Sequence, residues 1–226
     1  MSDRSIIETQ DGSHSIFSTQ FGESYHSRYG AIQESQHVFL EAGLYTLAIE
    51  KKNMRILEIG FGTGLNAFLT LLAAAKRTLQ IYYEAVEAYP ISQQEAGQLN
   101  FTTLLGAPGI KASFKKIHAT EWEVPVEIIP GFTLKKHQAF FQDLSYNKQF
   151  DLIYYDAFAP KAQPELWEQP LFEKMYQALV PGGVLVTYCA KGVVKRTLKQ
   201  VGFTVQALPG PPGKREMTHC TKDTQA

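Results

Sequence analysis

Glu58-Ile59-Gly60-Phe61-Gly62-Thr63-Gly64-Leu65-Asn66 is the stretch that decides how this chain folds. The apolar run 55–59 before it reads as a short strand, and the residues from Leu65 to about Ala75 read as a helix. Three glycines in the turn between them tolerate positive φ and let the backbone approach a ligand closely. The helix N-terminus beyond them presents unpaired N–H groups. Nicotinamide enzymes space their glycines G-x-G-x-x-G. Here the spacing is G-x-G-x-G, with Glu58 two residues before the first glycine and no lysine of the kind a phosphate loop requires.

Working outward, further strands are predicted at 80–86, 124–129, 132–141, 150–155, 184–189, 203–208 and 217–220. Helices are predicted at 34–51, from 89 to about 99, at 171–179 (closed by Pro181-Gly182-Gly183) and at 193–201. Strands alternating with helices specify an α/β fold, a mainly parallel twisted sheet covered on both faces. Pro130-Gly131 and the late strand pair add antiparallel strands. Residues 1–30, with Gly22 and Gly30, read as an extended arm with turns. The predicted organisation is an arm and amphipathic helix over 1–52 packed on a Rossmann-like domain over 53–226.

Composition narrows the function classes. At 226 residues, 44% hydrophobic and 12% aromatic, the chain has enough apolar surface for one cored domain. No apolar run approaches the roughly 18 residues of a membrane span. The polar start, MSDRSIIETQDGSHS, lacks a signal-peptide core, so a cytoplasmic location is expected. Cys189 and Cys220 have no partners at metal-ligand spacing, so reduced thiols and no metal are expected. With 22 basic and 22 acidic residues the chain lacks the global basic excess common in nucleic-acid binders. Locally, Lys191, Lys195, Arg196, Lys199, Lys214, Arg215 and Lys222 face only Glu216, either as a solvated surface or as a phosphate-binding rim.

Polar residues just after strands mark the ligand edge of such a sheet. Glu87, some 20 residues beyond the glycine turn, is placed to hold two ribose hydroxyls and to disfavour a phosphorylated ribose. With the Glu58–Asn66 loop, it resembles the first motifs of S-adenosylmethionine methyltransferases. Asp143 is a candidate for the adenine amino group or else a helix cap. Asp156, in Asp156-Ala-Phe-Ala-Pro160, is a candidate to hold a substrate amine and accept its proton, or else a turn cap. Phe158 and Trp167 could stack on a flat substrate or belong to the core.

The set Glu34-Ser-Gln-His-Val-Phe-Leu40, Gly60–Asn66, Asp156-Ala-Phe-Ala-Pro-Lys161, Pro164-Glu-Leu-Trp167 and Gly213-Lys-Arg-Glu-Met217 resembles the tRNA wobble-uridine aminomethyl methyltransferases. These form the methyltransferase half of the bifunctional enzyme that completes 5-methylaminomethyl-2-thiouridine. The resemblance implies N-methylation of the primary amine of 5-aminomethyl-(2-thio)uridine, with S-adenosyl-L-methionine as cofactor and the tRNA anticodon loop as partner. It implies Asp156 as the catalytic residue, touching the cofactor too. Glu34, Glu58, Gly60, Gly62, Gly64, Asn66, Glu87 and Asp143 complete the cofactor set. Phe158, Trp167, Lys191, Lys195, Arg196, Lys214 and Arg215 are the expected tRNA contacts. A chain ending at Ala226 is expected to act without the flavin-dependent oxidase domain, and so without flavin. Competing readings are an aminopropyltransferase, which shares the fold and an aspartate in this region, a small-molecule amine methyltransferase, and a non-catalytic RNA-binding module.

Overall fold

The structure is a computed structural model and describes residues 3–106 and 109–224. The N-terminal segment is more ordered than an arm. Strands β1 (Arg4–Glu8), β2 (His14–Ser18) and β3 (Glu23–Ser24) pair as an antiparallel three-stranded sheet. Arg4 ties it to the body by donating to the Pro90 carbonyl at 3.1 Å, and the His14 N–H donates to Asn100 Oδ1 at 2.7 Å.

The predicted helix 34–51 starts earlier and winds differently. It comprises α1 (Ala31–Ser35), a π-helical stretch Gln36–Leu44 and α2 (Tyr45–Leu47). The wider turn moves the buried face to five-residue spacing: Val38, Gly43 and Ala48, with Phe39 and Leu44 beside them. Ile49, which fits an ideal α-helical stripe, is therefore left exposed. Gly43 lets this helix lie close on the sheet, since a Cβ there would sit 3.1 Å from Val186 and 3.3 Å from Tyr154.

The main sheet begins with β4 (Asn53–Ile59), which turns through the glycines into α3 (Leu65–Arg77), followed by β5 (Gln80–Glu87). The helix expected at 89–99 shortens to α4 (Gln93–Gly97), started by a Ser92–Glu95 capping box. Two helices without a sequence prediction follow, α5 (Phe101–Leu105) and α6 (Ile110–Ala119). Phe101 and Phe114 meet edge to face at 5.9 Å, and Phe114 packs on Phe68 of α3 at 4.9 Å. The hairpin β6 (Val126–Ile129) and β7 (Phe132–Gln138) turns at Pro130-Gly131 as expected. However, β7 stops at Gln138, and Asp143 lies in a 3-10 turn, Phe141–Asp143.

Next come β8 (Phe150–Tyr155), buried along its whole length, and α7 (Gln169–Ala178). The strand β9 (Leu179–Thr187) runs through Pro181-Gly182-Gly183, expected to be only a helix stop. A register shift opposite Phe150–Leu152 absorbs the irregularity. Finally α8 (Gly192–Val201) leads to the antiparallel pair β10 (Thr204–Pro209) and β11 (Glu216–Thr221).

The strand order is β10-β11-β9-β8-β4-β5-β7-β6, with β7, β5, β4, β8 and β9 mutually parallel. One core lies between the sheet and the π-helix, α3 and α6, and the other between the sheet and α7 and α8. Chain order reverses at β4, which has β5 on one side and β8 on the other. A crevice opens at the carboxyl ends of strands around such a point.

Candidate active site

That crevice is a cavity of about 460 Å³, within the usual range for small-molecule sites. Its floor is the β4–α3 turn, and each glycine there has a separate steric reason. Gly60 (φ +93°) passes so close to β8 that a Cβ would lie 2.5 Å from the Asp156 carbonyl oxygen. Gly62 (φ +50°) faces the cavity, where a Cβ would lie 3.0 Å from the Tyr25 ring. Gly64 (φ +72°) caps α3 and packs on His118, outside the cavity lining.

Glu87 ends β5 at the cavity wall. Its carboxylate accepts from the Gly62 N–H and the Tyr89 N–H, both at 2.9 Å. Burial raises its pKa, and those backbone donors oppose the rise. Each oxygen keeps a lone pair for a further donor. Glu58, in contrast, lies wholly buried beneath the turn and does not line the cavity. Burial, then the charge of Asp156, pushes its pKa well up. The Asn66 and Tyr83 side chains beside it oppose that rise.

Asp156 ends β8 on the opposite wall. Asn66 Nδ2 donates to its Oδ2 at 2.8 Å, and its own N–H donates to the Ile59 carbonyl at 2.9 Å. Burial and then the neighbouring Glu34 carboxylate raise its pKa to about 7, against the Asn66 bond and the charge of Lys214. Glu34 reaches the cavity from α1. Its Oε2 accepts from the Ser27 N–H at 2.8 Å, and its Oε1 takes the Lys214 ammonium at 2.5 Å. That ammonium also lies 3.9 Å from the centre of the Tyr188 ring.

Several expected site residues lie elsewhere. Asp143 is exposed and outside the lining, although its neighbours Phe141 and Gln142 line the cavity; the early end of β7 turns it away. Trp167 is buried against Tyr155 and Tyr188, and its indole N–H donates to the Phe158 carbonyl at 2.8 Å. It therefore buttresses the Asp156 loop and is not an open stacking surface. Phe158 does line the cavity, but Phe21 stacks on it at 4.7 Å. Lys214, 30% exposed, is paired with the buried Glu34, and Lys195 is paired with Glu216 at 2.8 Å. Lys191 stands at the mouth, while Arg196 and Arg215 are exposed.

The roof was not predicted. Phe21, Tyr25 and His26 close over the glycine turn, and the His26 Nε2 meets the Thr63 hydroxyl at 2.6 Å. Burial lowers the His26 pKa to about 4, so it is a neutral imidazole at physiological pH. The recurrence of Phe17, Phe21, Tyr25 and Tyr29 at fours was the available signal, and it fitted a helix as well as an arm.

A fold with a glycine-built cradle, a paired acid on the next strand and an acid at the end of β8 fits an adenosyl cofactor: a Cβ would fill the floor, and Glu87 offers acceptors beside it. A model of an S-adenosyl-L-methionine-dependent methyltransferase family matches residues 107–223. The chain belongs to this family of S-adenosyl-L-methionine-dependent methyltransferases. Among curated proteins, this methyltransferase is 31% identical over 217 residues to the tRNA 5-methylaminomethyl-2-thiouridine biosynthesis bifunctional protein MnmC of Idiomarina loihiensis, covering 88% of the chain and 36% of that protein. It is 29% identical over 220 residues to the corresponding protein of Marinomonas sp., covering 89% and 31%. The chain thus spans about a third of the length of these relatives. Among solved structures, MnmC2 of Aquifex aeolicus superposes with a TM-score of 0.82 at 25% identity, over 100% of this chain and 71% of that one. Spermidine synthase of Thermotoga maritima shares the fold, with a TM-score of 0.60 at 13% identity over 98% and 69%. Among the described residues no helix is long and apolar enough to cross a membrane.

Proposed function

We propose that this methyltransferase N-methylates the aminomethyl group of 5-aminomethyl-(2-thio)uridine at the tRNA wobble position. The observation that carries the reading is Asp156: a carboxylate at the end of β8, held by Asn66 and raised to about 7, on the wall facing Glu87 across the glycine turn. The similarity to MnmC proteins supplies the substrate class.

When bound, S-adenosyl-L-methionine supplies a methyl group on a sulfonium, already a good leaving group. The chain must hold a primary amine with its lone pair toward that methyl and take up the proton the amine releases. Asp156 suits both tasks, because a general base works best with a pKa near the working pH. Asn66 fixes the carboxylate orientation and leaves its other oxygen for the amine. This chemistry calls on neither flavin nor metal. Residues 1–52 roof and wall the site on the domain 53–226, and the cytoplasm is the fitting compartment.

Lys191, which lines the cavity, and the exposed Arg196 and Arg215 would hold phosphates of the anticodon loop while the unstacked wobble base enters. The test incubates the protein and methyl-labelled cofactor with tRNA from cells lacking it, followed by mass spectrometry of wobble nucleosides. A mass gain of one methyl on the aminomethyl nucleoside is expected. Turnover of free polyamines with no change in tRNA would replace this reading with a small-amine transferase.

A further inference from the structure

The cavity lining contains three cations, and they differ in kind. Lys161 is 73% exposed and paired with Glu23 at 2.6 Å, and Lys191 is exposed at the mouth. Lys214 alone is half-buried, with its ammonium on Glu34 and over the Tyr188 ring. Glu34 is 6% exposed, while the Lys214 side chain keeps 30% exposure, so a buried carboxylate at the cavity wall is met by a half-buried ammonium. A buried charge is costly unless it is paired and hydrogen-bonded, and Lys214 and the Ser27 N–H supply those partners.

Both partners keep unused capacity. An ammonium has three donors, and Glu34 and the Tyr188 ring face occupy two. The Glu34 carboxylate has about four acceptor positions, and Lys214 and the Ser27 N–H take two. Both residues line the cavity, so a cation and an anion sit side by side facing the same space.

Position along the sheet says which part of a cofactor meets them. Glu87 on β5 and Asp156 on β8 flank the β4 turn, so two inter-strand steps of roughly 4.8 Å separate the ends of the strands that carry them. A ribose held at Glu87 directs the rest of the molecule across the turn toward Asp156, Glu34 and Lys214. The end arriving there is an α-amino acid, which carries an adjacent carboxylate and ammonium. The Glu34–Lys214 pair is its charge complement.

We propose that Lys214 and Glu34 read the α-amino-acid end of S-adenosyl-L-methionine, Lys214 taking its carboxylate and Glu34 its ammonium. The pocket thereby prefers the intact cofactor to its decarboxylated form. This rests on the cofactor assignment and not on the wobble substrate. It moves Lys214 from the RNA rim to the cofactor site.

The test is calorimetric binding of S-adenosylhomocysteine, which has the amino-acid end, and of 5′-methylthioadenosine, which lacks it. The proteins are the parent, Lys214→Met, and the double variant Glu34→Gln/Lys214→Met, which leaves no unpaired buried carboxylate. A charge-assisted hydrogen bond is worth enough that both variants should bind S-adenosylhomocysteine roughly ten- to a hundredfold more weakly. Their affinity for 5′-methylthioadenosine should stay within about twofold of the parent, a ratio that pocket collapse would not preserve. Equal weakening of both ligands would make the pair a structural support and overturn the proposal. Unchanged S-adenosylhomocysteine affinity with lost retention of an anticodon stem-loop RNA would return Lys214 to the RNA and overturn it too. A parent that binds neither ligand would fail at the cofactor assignment itself, which the two-ligand comparison distinguishes.

Discussion

The two walls of the cavity are built by different means. The Glu87 wall is made of backbone: glycines at positive φ, and N–H groups donating to a carboxylate only 25 residues away in sequence. The Asp156 wall is made of charged side chains brought together over 90 residues (Asn66 to Asp156) and 180 residues (Glu34 to Lys214). A wall of backbone is broken by adding an atom, whereas a wall of side chains is broken by changing a charge. Steric substitutions on the first and isosteric ones on the second therefore test the difference most directly.

The largest effect is expected at Gly60→Ala. Its Cβ would meet backbone, which cannot swing aside, at a φ that alanine rarely adopts. A loss of about 3 kcal/mol or more is expected, read as a large drop in Tm. At Gly62 the obstacle is the Tyr25 ring, which can move, so Gly62→Ala carries mainly the strain of its positive φ and should lower Tm by less than Gly60→Ala while weakening cofactor binding. A Gly60→Ala protein that melts like the parent would refute the account of the tight β4–β8 approach.

Asp156→Asn preserves shape and removes charge. The expected result is a kcat lower by roughly 10²–10⁴ with cofactor affinity nearly unchanged, since the lost interaction matters in the transition state. The parent kcat/KM should rise as pH passes about 7, where Asp156 ionises, and rise further on the alkaline side as the substrate amine loses its proton. The Asn variant should lack the first of these limbs. Stability carries the opposite sign. The folded pKa is raised above the ordinary value of 3.8, so the native state binds the extra proton. The resulting stabilisation is complete below the unfolded pKa and is lost as pH rises through about 7. Denaturant melts of parent and variant should therefore converge toward the acid end of that window and diverge as pH rises through about 7, whereas a gap that does not change with pH would mean that another group is responsible.

On the other wall, Glu87→Ala removes the partner of two backbone N–H groups and the acceptors offered to a ribose. A roughly ten- to hundredfold loss of S-adenosylhomocysteine affinity is expected, with 5′-methylthioadenosine weakened to the same extent because both carry the ribose. That parallel loss, against the selective loss at Lys214, is the sharpest separation of the two walls. Selective weakening at Glu87 would merge them.

The contrast also explains what could be read from residues alone. The β4 turn, Glu87 and Asp156 follow local signals, an apolar run ended by glycine or acid, and they lie where such signals place them. The π-helical register of Gln36–Leu44 depends on how Gly43 seats against Val186 and Tyr154, a tertiary fact. Helices α5 and α6 have short apolar faces built on Phe101 and Phe114, which only their contacts with each other and with Phe68 make evident. Pro181-Gly182-Gly183 reads as a stop because the register shift that carries β9 through it involves a distant strand. The placement of Trp167 in the core and of the Lys214 ammonium on Glu34 was illegible for one reason: sequence reports that a side chain can stack or bear charge, but not which way it points.

The smallest effects are expected on the rim. Lys195 is held by Glu216 at 2.8 Å and Lys214 by Glu34, whereas Lys191, Arg196 and Arg215 are exposed cations available to an RNA backbone. Arg196→Glu/Arg215→Glu should weaken binding of an anticodon stem-loop RNA by about tenfold and reduce the slope of log K against log salt by one to two, as two phosphate contacts predict. Cofactor affinity should not change. Lys195→Gln is the comparison that locates the boundary. Its pair with Glu216 is solvent-screened, so Tm should move little and RNA affinity by less than about twofold. If Lys195→Gln instead weakens RNA binding and its salt slope as much as the arginine pair does, the Lys195–Glu216 bridge opens onto phosphate. The charged wall of the cavity would then continue without a break onto the RNA-binding face.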